Sequence, residues 1–452
     1  MNSDLLNILY VTQYFPPEVC APAVRVHGYA WEWANRGHQV KVLTGFPNHP
    51  EGILYPEFRA QWRRGFAREN GQGISIYRTW LYPAANQGRW KRSANYVSFA
   101  ASATLTGPWI APRHGVVIGS SPQLLSAAAA YAIARARRLP FVFEVRDLWP
   151  QSLVAVGATS EGSALYRGLD LIANYLYRHA ETIVVDGEWK RRQLVAAGVS
   201  EDKLKIVRNG VGGEFIAGLK THAALGARAR IRREYGWNER FVTMYVGTLG
   251  MAHGLETVLK AAEKCKTNPQ ILFVVIGEGA ERKRLIARAR ELGLDNVRFL
   301  ARQPHVLIPA FLLAADACLV LLRRAEVFKT AIPSKMFEAM AAAKPLVLGV
   351  EGEAKEILLN ADAGLPIPPQ DASALEGAID RLWADKQLRQ KFGENGKRSI
   401  EAIYSHRRQS EAYLKILRET LAIRRAPQIQ KVLPSNRPAM PAEISNLSIT
   451  KP

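Results

Sequence analysis

Short runs of consecutive apolar residues alternate along the chain with longer stretches in which apolar positions return every third or fourth residue. The first pattern predicts buried strands, the second amphipathic helices. Asn7 to Thr12 reads as a first strand, Pro22 to Arg36 as a helix that Gly37 ends, and Gln39 to Leu43 as a second strand. Strand, helix and strand in that order make a parallel unit, whose ligands lie beyond the strand ends. Further strands are expected at Ile74 to Arg78, Gly115 to Ile118, Phe141 to Glu144 and Thr182 to Val185, with Val207 to Val211 as a last strand running into an Asn209-Gly210 turn. Helices fall at Pro122 to Arg137, Leu165 to His179 and Glu188 to Ala197.

The alternation then restarts. Strands are expected at Phe241 to Val246, Ile271 to Ile276, Val297 to Leu300, Ala317 to Leu321 and Leu346 to Leu348, with Leu365 to Ile367 extended. Helices are expected at Leu255 to Cys265, Val306 to Ala314, Lys335 to Ala343, Ala372 to Ala384, Lys386 to Phe392 and His406 to Ile423. The fold class is α/β, in two Rossmann-like halves. Residues 1–208 form the first domain, 209–404 the second, 405–424 a crossover helix, and 425–452 a tail rich in Pro, Ser, Asn and Lys that is expected to be disordered.

Composition changes this picture little, and charge more. The chain has 452 residues, 48% hydrophobic and 22% charged, as a soluble protein with more than one core has. Its net charge of +21 points to an anionic partner: a nucleic acid, an acidic membrane or a phosphorylated substrate. The basic residues are scattered and match no recognition motif for nucleic acid. Cys20, Cys265 and Cys318 are far apart and form neither a metal spacing nor a disulfide framework. The first residues lack the basic and apolar regions of a signal peptide.

Four stretches carry candidate chemistry. At Pro333-Ser334-Lys335-Met336-Phe337-Glu338 a helix begins, with Ser334 expected to cap it. Lys335 in the first turn adds charge where free N–H groups already favour an anion. Glu338, three residues on, shares that face and can accept two hydroxyls, so the pair suits a diphosphate beside a ribose. A capped surface helix is the plainer reading. Glu144-Val145-Arg146-Asp147-Leu148-Trp149-Pro150 ends a strand, and Arg146 with Asp147 can meet an acceptor or a leaving phosphate, or simply pair with each other. Gly247-Thr248-Leu249-Gly250-Met251-Ala252-His253-Gly254 and Gly277-Glu278-Gly279 follow strands as phosphate-cradling turns or as tight strand–helix turns. His253 is a phosphate contact or a structural histidine. Lastly, Ser93 to Pro112 carries no charge and is flanked by Arg89, Lys91 and Arg92 before and Arg113 and His114 after. It is too polar for a membrane span. It reads as a helix lying in an anionic leaflet or as one packed on the sheet.

Taken together, these stretches resemble the family-4 retaining glycosyltransferases of the GT-B fold. Tyr14-Phe15-Pro16-Pro17-Glu18, Arg36-Gly37-His38-Gln39-Val40, Asn209-Gly210-Val211, Gly277-Glu278-Gly279 and Glu338-Ala339-Met340-Ala341 occur in that family's order. Glu144 to Pro150, Tyr245 to Gly250 and Ile332 to Lys335 are similar to the bacterial surface-polysaccharide branch, the fucosamine-transferase-like and colanic-acid-transferase-like enzymes. The resemblance implies transfer of a hexosyl or N-acetylhexosaminyl group from a nucleotide-sugar donor to a lipid-linked glycan, at the inner face of the cell membrane. It implies two domains facing across a cleft, with the last helix crossing back to the first. Glu338 would hold the ribose. Ser334, Lys335, Thr248, Gly250, His253, Gly254, Gly277 and Gly279 would surround the diphosphate, and Arg146 and Asp147 would face the crevice.

The sequence departs from the family at Thr330, where a carboxylate is frequent, so donor-sugar contact there is open. Cys20-Ala21-Pro22 replaces the usual Gly-Gly. Thr248 and His253 stand where an Arg and a Lys are common. Positive charge for the diphosphate then falls to Lys335, with Lys283, Arg284 or Arg25 as further candidates. No Asp-x-Asp motif ends a strand, so neither a metal nor a cofactor beyond the donor is expected. A nucleotide-sugar epimerase of the same fold and a non-catalytic homologue are the competing readings.

Overall fold

In the computed structural model, residues 5–18, 20–84, 89–121, 123–155 and 159–425 are described, the side chains of 89, 155, 327 and 425 excepted. The expected tail lies outside them, apart from residue 425.

The first sheet holds β1 (Asn7–Val11), β2 (Gln39–Gly45), β3 (Phe66–Gly71), β4 (Ile74–Thr79), β5 (Val116–Ser120), β6 (Phe141–Val145), β7 (Thr182–Val185) and β8 (Leu204–Ile206), in the order β3-β4-β2-β1-β5-β6-β7-β8. The second holds β9 (Phe241–Val246), β10 (Ile271–Ile276), β11 (Val297–Leu300), β12 (Ala317–Leu321), β13 (Leu346–Gly349) and β14 (Gly364–Pro366), in the order β11-β10-β9-β12-β13-β14. Every pairing is parallel except β3 with β4. Parallel strands need helical crossovers, which cover both sheet faces, and this is why Ile271–Ile276 is apolar and buried throughout. Each sheet reverses its winding once, between β1 and β5 and between β9 and β12. Loops splay apart at such reversals, opening a crevice at the strand ends.

Three findings differ from the sequence reading. The β3–β4 hairpin is unexpected, because Phe66–Gly71 has no buried face. Its turn residues Gln72 and Gly73 both have positive φ (52° and 79°), the geometry that matches strand twist in a two-residue loop. The last strand of the first sheet is Leu204–Ile206 rather than Val207 to Val211. The carbonyls of Val207 and Arg208 accept from Arg25, so this link is held by a side chain, and Val211 forms an isolated bridge with Ser405. Helices Gly213–Ala224, Ala227–Glu234 and Glu353–Ala361 add to those expected.

The chain crosses between lobes at residues 207–211 and again at 403–406. The final helix, His406–Arg425, then returns to the first lobe. Tyr413 meets Tyr29 and Trp33 edge-on at 5.7 and 5.3 Å, and Tyr413, Leu414 and Leu417 are buried in one cluster with Tyr10. Burying each such side chain stabilises by about 1.5–3 kcal/mol.

Helix Arg89–Ile110 packs on the first lobe by one face, the second reading of the uncharged stretch. Asn95, Phe99 and Ala103 on one face are buried, and a Cβ on Gly107 would lie 2.2 Å from Ile133, so this face packs tightly on helix Leu124–Arg137. On the other face Trp90 (89% exposed), Val97 (55%), Leu105 (73%) and Trp109 (91%) form an uncovered apolar ridge. No helix among the described residues is long and apolar enough to cross a membrane.

Candidate active site

The strand ends of the two sheets face each other across a cleft of about 720 Å³. Arg146, Asp147, Asp186 and Lys190 line it from the first lobe, and Thr248, His253, Ser334, Lys335 and Glu338 from the second.

Helix Ser334–Ala341 is aimed by its apolar face, since Met336, Phe337, Ala339 and Met340 are buried in the second lobe. Lys335 and Glu338 fall on the remaining stripe and enter the cleft. Ser334 does not cap this helix. Pro333 occupies the N-cap position, no side chain bonds there, and Ser334 is the first helical residue, exposed. The first N–H groups of a helix have no partner within it, so this end stays open to an anion.

Lys335 does not extend into solvent. Its ammonium donates to the Tyr245 hydroxyl at 2.9 Å and stands 4.2 Å from the centre of that ring. Burial pulls its pKa down to about 8, with Glu338 opposing. Burial likewise pushes the Glu338 carboxyl up to about 7, against the pull of Lys335. His253 is brought to about 4 by burial and by Lys335, so its ring is neutral at neutral pH, and its buried Nδ1 has no partner among the described residues. Thr248 is exposed at the cleft.

The glycines divide. Gly277 and Gly279, both at positive φ, stand behind the turn and are not among the cleft-lining residues. A Cβ on Gly277 would lie 1.9 Å from the Gly247 carbonyl oxygen, and one on Gly279 2.4 Å from that of Leu249. Leu249 N–H donates to Glu278 O and Glu281 N–H to Leu249 O, both at 2.9 Å. They act as a frame that shapes the Gly247–Gly250 turn. Gly250 precedes the short turn Met251–His253 and Gly254 closes it in the left-handed region (φ 57°). Thr330 is buried at the end of Glu326–Thr330, next to Ala331, which lines the cleft.

On the first lobe, the backbone N–H groups of Arg146 and Asp147 donate to Ser121 Oγ at 2.9 and 3.4 Å. The two side chains form no ion pair with each other. Nε and Nη1 of Arg146 are buried without a partner among the described residues, which is costly for a cation's donors unless a ligand meets them. Arg25, a candidate for the diphosphate, is committed elsewhere. Its Nε donates to Glu144 at 3.0 Å, and its other nitrogens donate to Asn209 Oδ1 and the carbonyls of Val207 and Arg208. Burial alone would raise the Glu144 carboxyl, but Arg25, Arg146, Tyr10 and Ser120 hold it below the usual range. Arg284 pairs with Glu281 and Glu256, and with Lys283 it is exposed outside the cleft.

Two features escape sequence reasoning. Tyr245 is one: its signal is a second hydroxyl, after that of Thr243, in a strand whose other residues are apolar. The other spans the lobes. Glu353, 4% exposed, accepts from the backbone N–H groups of Glu188 (2.7 Å) and Trp189 (3.0 Å), at the start of a first-lobe helix. Glu356 accepts from Trp189 Nε1 at 3.0 Å. The lobes are thus in contact beyond their covalent links.

Two parallel-stranded lobes facing across a cleft, with a final helix that returns to the first, define the GT-B fold, and the family models that match this chain are those of glycosyltransferases. The chain belongs to the family-4 type: residues 21–210 match the model of the glycosyl transferase 4-like domain, and residues 227–399 that of glycosyl transferases group 1. Among curated relatives it is 25% identical to the putative colanic acid biosynthesis glycosyl transferase WcaI of Escherichia coli, over 71% of this chain and 77% of that one. It is 28% identical to the probable glycosyltransferase WbjE of Pseudomonas aeruginosa, over 64% and 70%. The crystal structure of Anabaena HepE in complex with UDP-glucose superimposes with a TM-score of 0.65 at 17% identity, covering 92% of this chain and 100% of that one.

Proposed function

We propose that this glycosyltransferase moves a hexosyl or N-acetylhexosaminyl group, with retention, from a nucleoside diphosphate sugar to a lipid-linked glycan in surface-polysaccharide biosynthesis. The observation that carries this reading is the helix Ser334–Ala341, which brings an open N-terminus, Lys335 and Glu338 together at the cleft. The relatives' names and the UDP-glucose held by HepE support it. The second lobe takes the donor. Glu338 accepts two ribose hydroxyls, and Lys335, the helix N–H groups, Thr248 and His253 surround the diphosphate. The first lobe takes the acceptor, with the unpaired donors of Arg146 at hand for an anionic group and Asp147 for a hydroxyl.

In the transfer, the bond from the sugar's anomeric carbon to the diphosphate oxygen breaks. The bond to the acceptor oxygen forms on the same face, and the acceptor proton passes to the departing diphosphate. Fixed donors aimed at the charge that grows on the leaving group lower the barrier, because they need no reorganisation. No step in this scheme calls on a metal.

The test is a panel of UDP-, GDP- and dTDP-sugars scored by melting temperature, followed by product analysis with and without a lipid-linked acceptor. A ligand at a hundred times its Kd stabilises the folded state by about 2.7 kcal/mol, and the matching donor is expected to do so with chelator present. If no donor raises the melting point, the reading fails. Turnover of the donor to a new nucleotide-sugar without acceptor would make the protein an epimerase instead.

The acceptor reading places the enzyme on the cytoplasmic side of an anionic membrane, docked by the ridge Trp90, Val97, Leu105 and Trp109. Lys91, Arg92 and Arg113 flank this ridge, and the chain carries +21. Each aromatic side chain can bury about 150–250 Å². At about 25 cal/mol per Å², half-burial of two tryptophans contributes about 4 kcal/mol. The Trp90→Ser/Trp109→Ser double variant is therefore expected to lose roughly a thousandfold in binding to phosphatidylglycerol vesicles in sedimentation. Equal binding by parent and variant would remove the ridge from the proposal.

A further inference from the structure

The turn after the first strand of the second lobe carries Thr248 and His253, where the family resemblance implies an Arg and a Lys. Neither supplies positive charge at neutral pH, since His253 is held neutral by burial. Among the described cations lining the second-lobe side of the cleft, Lys335 is left to carry the charge. A lysine on a flexible stem is a poor substitute for two cations unless something fixes it.

Four observations show it fixed. Its ammonium donates to the Tyr245 hydroxyl at 2.9 Å. The same ammonium stands 4.2 Å from the centre of the Tyr245 ring, within cation–π range. The Tyr245 hydroxyl gives its own proton to the Thr248 carbonyl at 2.8 Å. A hydroxyl has one proton and two lone pairs, so that bond turns a lone pair toward the ammonium. Finally, the space Lys335 occupies exists because residue 247 is glycine. A Cβ there would lie 2.6 Å from Lys335 Nζ and 3.2 Å from Cε, and φ at Gly247 is 145°. Tyr245 is itself 0% exposed, at a strand end, so its ring cannot shift.

We infer that Tyr245 is a positioning residue for Lys335: ring and hydroxyl hold the ammonium over the vacancy at Gly247, so that one lysine does the work of the two cations the neighbouring turn lacks. This rests on the proposal that Lys335 addresses the donor diphosphate. Tyr245 does not touch the diphosphate, and it acts only through the lysine.

The experiment is a double-mutant cycle on the full chain, with Kd measured by calorimetry for whichever of UDP, GDP and dTDP raises the melting point. Tyr245→Phe keeps the ring and its packing but removes the acceptor oxygen. It is expected to weaken nucleotide binding roughly tenfold, as loss of a hydrogen bond to a charged group does. In the Lys335→Ala background the same change is expected to have no further effect on Kd. The alkaline limb of kcat/KM should also move to lower pH in Tyr245→Phe, because the ammonium loses a group that favours its charged form.

If Lys335→Ala weakens binding but Tyr245→Phe leaves both Kd and the limb unchanged, the positioning role is wrong and the donor site stands. If Tyr245→Phe costs the same with and without Lys335, the tyrosine acts on the ligand or the turn directly and the inference falls. If Lys335→Ala binds like the parent, or no nucleotide binds, the donor reading falls and takes this inference with it.

Discussion

Lys335→Ala is expected to lower kcat by roughly a hundred- to a thousandfold, the cost of removing one preorganised donor from a developing oxyanion. The folded state should not suffer. The lysine's pKa is about 8 in the fold and near 10.5 in an open chain, so folding strains against its charge. The sign follows from linkage. Between these values the unfolded chain binds more protons than the folded one, so the parent gains stability as pH rises from about 8 toward 10.5. The alanine variant lacks that rise and should melt no earlier than the parent at neutral pH. Activity runs the opposite way: the ammonium loses its proton above about 8, and kcat/KM of the parent should fall there. Steady-state rates and calorimetric melts across pH 6–10 would check both. Unchanged turnover in the variant would remove Lys335 from the reaction.

Glu338→Ala comes second. Two hydroxyls bonded to one carboxylate make a charge-assisted contact worth about 1.5–3 kcal/mol, so donor KM should rise by roughly ten- to a hundredfold while kcat changes less. The carboxyl is raised to about 7 by burial, which sets a second expectation. As pH rises through about 7 the carboxylate forms and donor KM improves. As it rises through about 8 the ammonium is lost, and the parent profile is a narrow bell. The two groups influence each other, so these limbs belong to the pair rather than to either residue. In Glu338→Gln the acidic limb should vanish and the alkaline limb move to lower pH, since the carboxylate is what raises the lysine. A Glu338→Gln profile superimposable on the parent's would rule the pair out.

The sheets were legible because their strands are buried on both faces, so that runs such as Ile271–Ile276 stand out as apolar throughout. Phe66–Gly71 was illegible for the converse reason: it lies at a sheet edge and has no residue to bury. Lys335 and Glu338 were legible because helical spacing alone puts them on one stripe. Their neighbour Ser334 was misjudged by one position, with Pro333 already at the cap. Gly277 and Gly279 were visible as special backbone positions. That their missing side chains make room for the neighbouring turn depends on β9 and β10 lying side by side. Contacts between distant residues leave no local trace. Arg25 and Glu144 are 119 positions apart, and Glu188 and Glu353 are 165 apart. Nothing in the local sequence of either residue points to its partner.

The return of the last helix has a consequence for the order of events on the ribosome. Tyr29 and Trp33 are translated early, yet their partners Tyr413 and Leu417 come near the end of the described chain. Until those emerge, the nascent first lobe lacks the residues that pack edge-on against this aromatic pair. The lobe begun first is therefore completed last, and a chain released before residue 413 would leave the tunnel with a sticky, chaperone-ready flank.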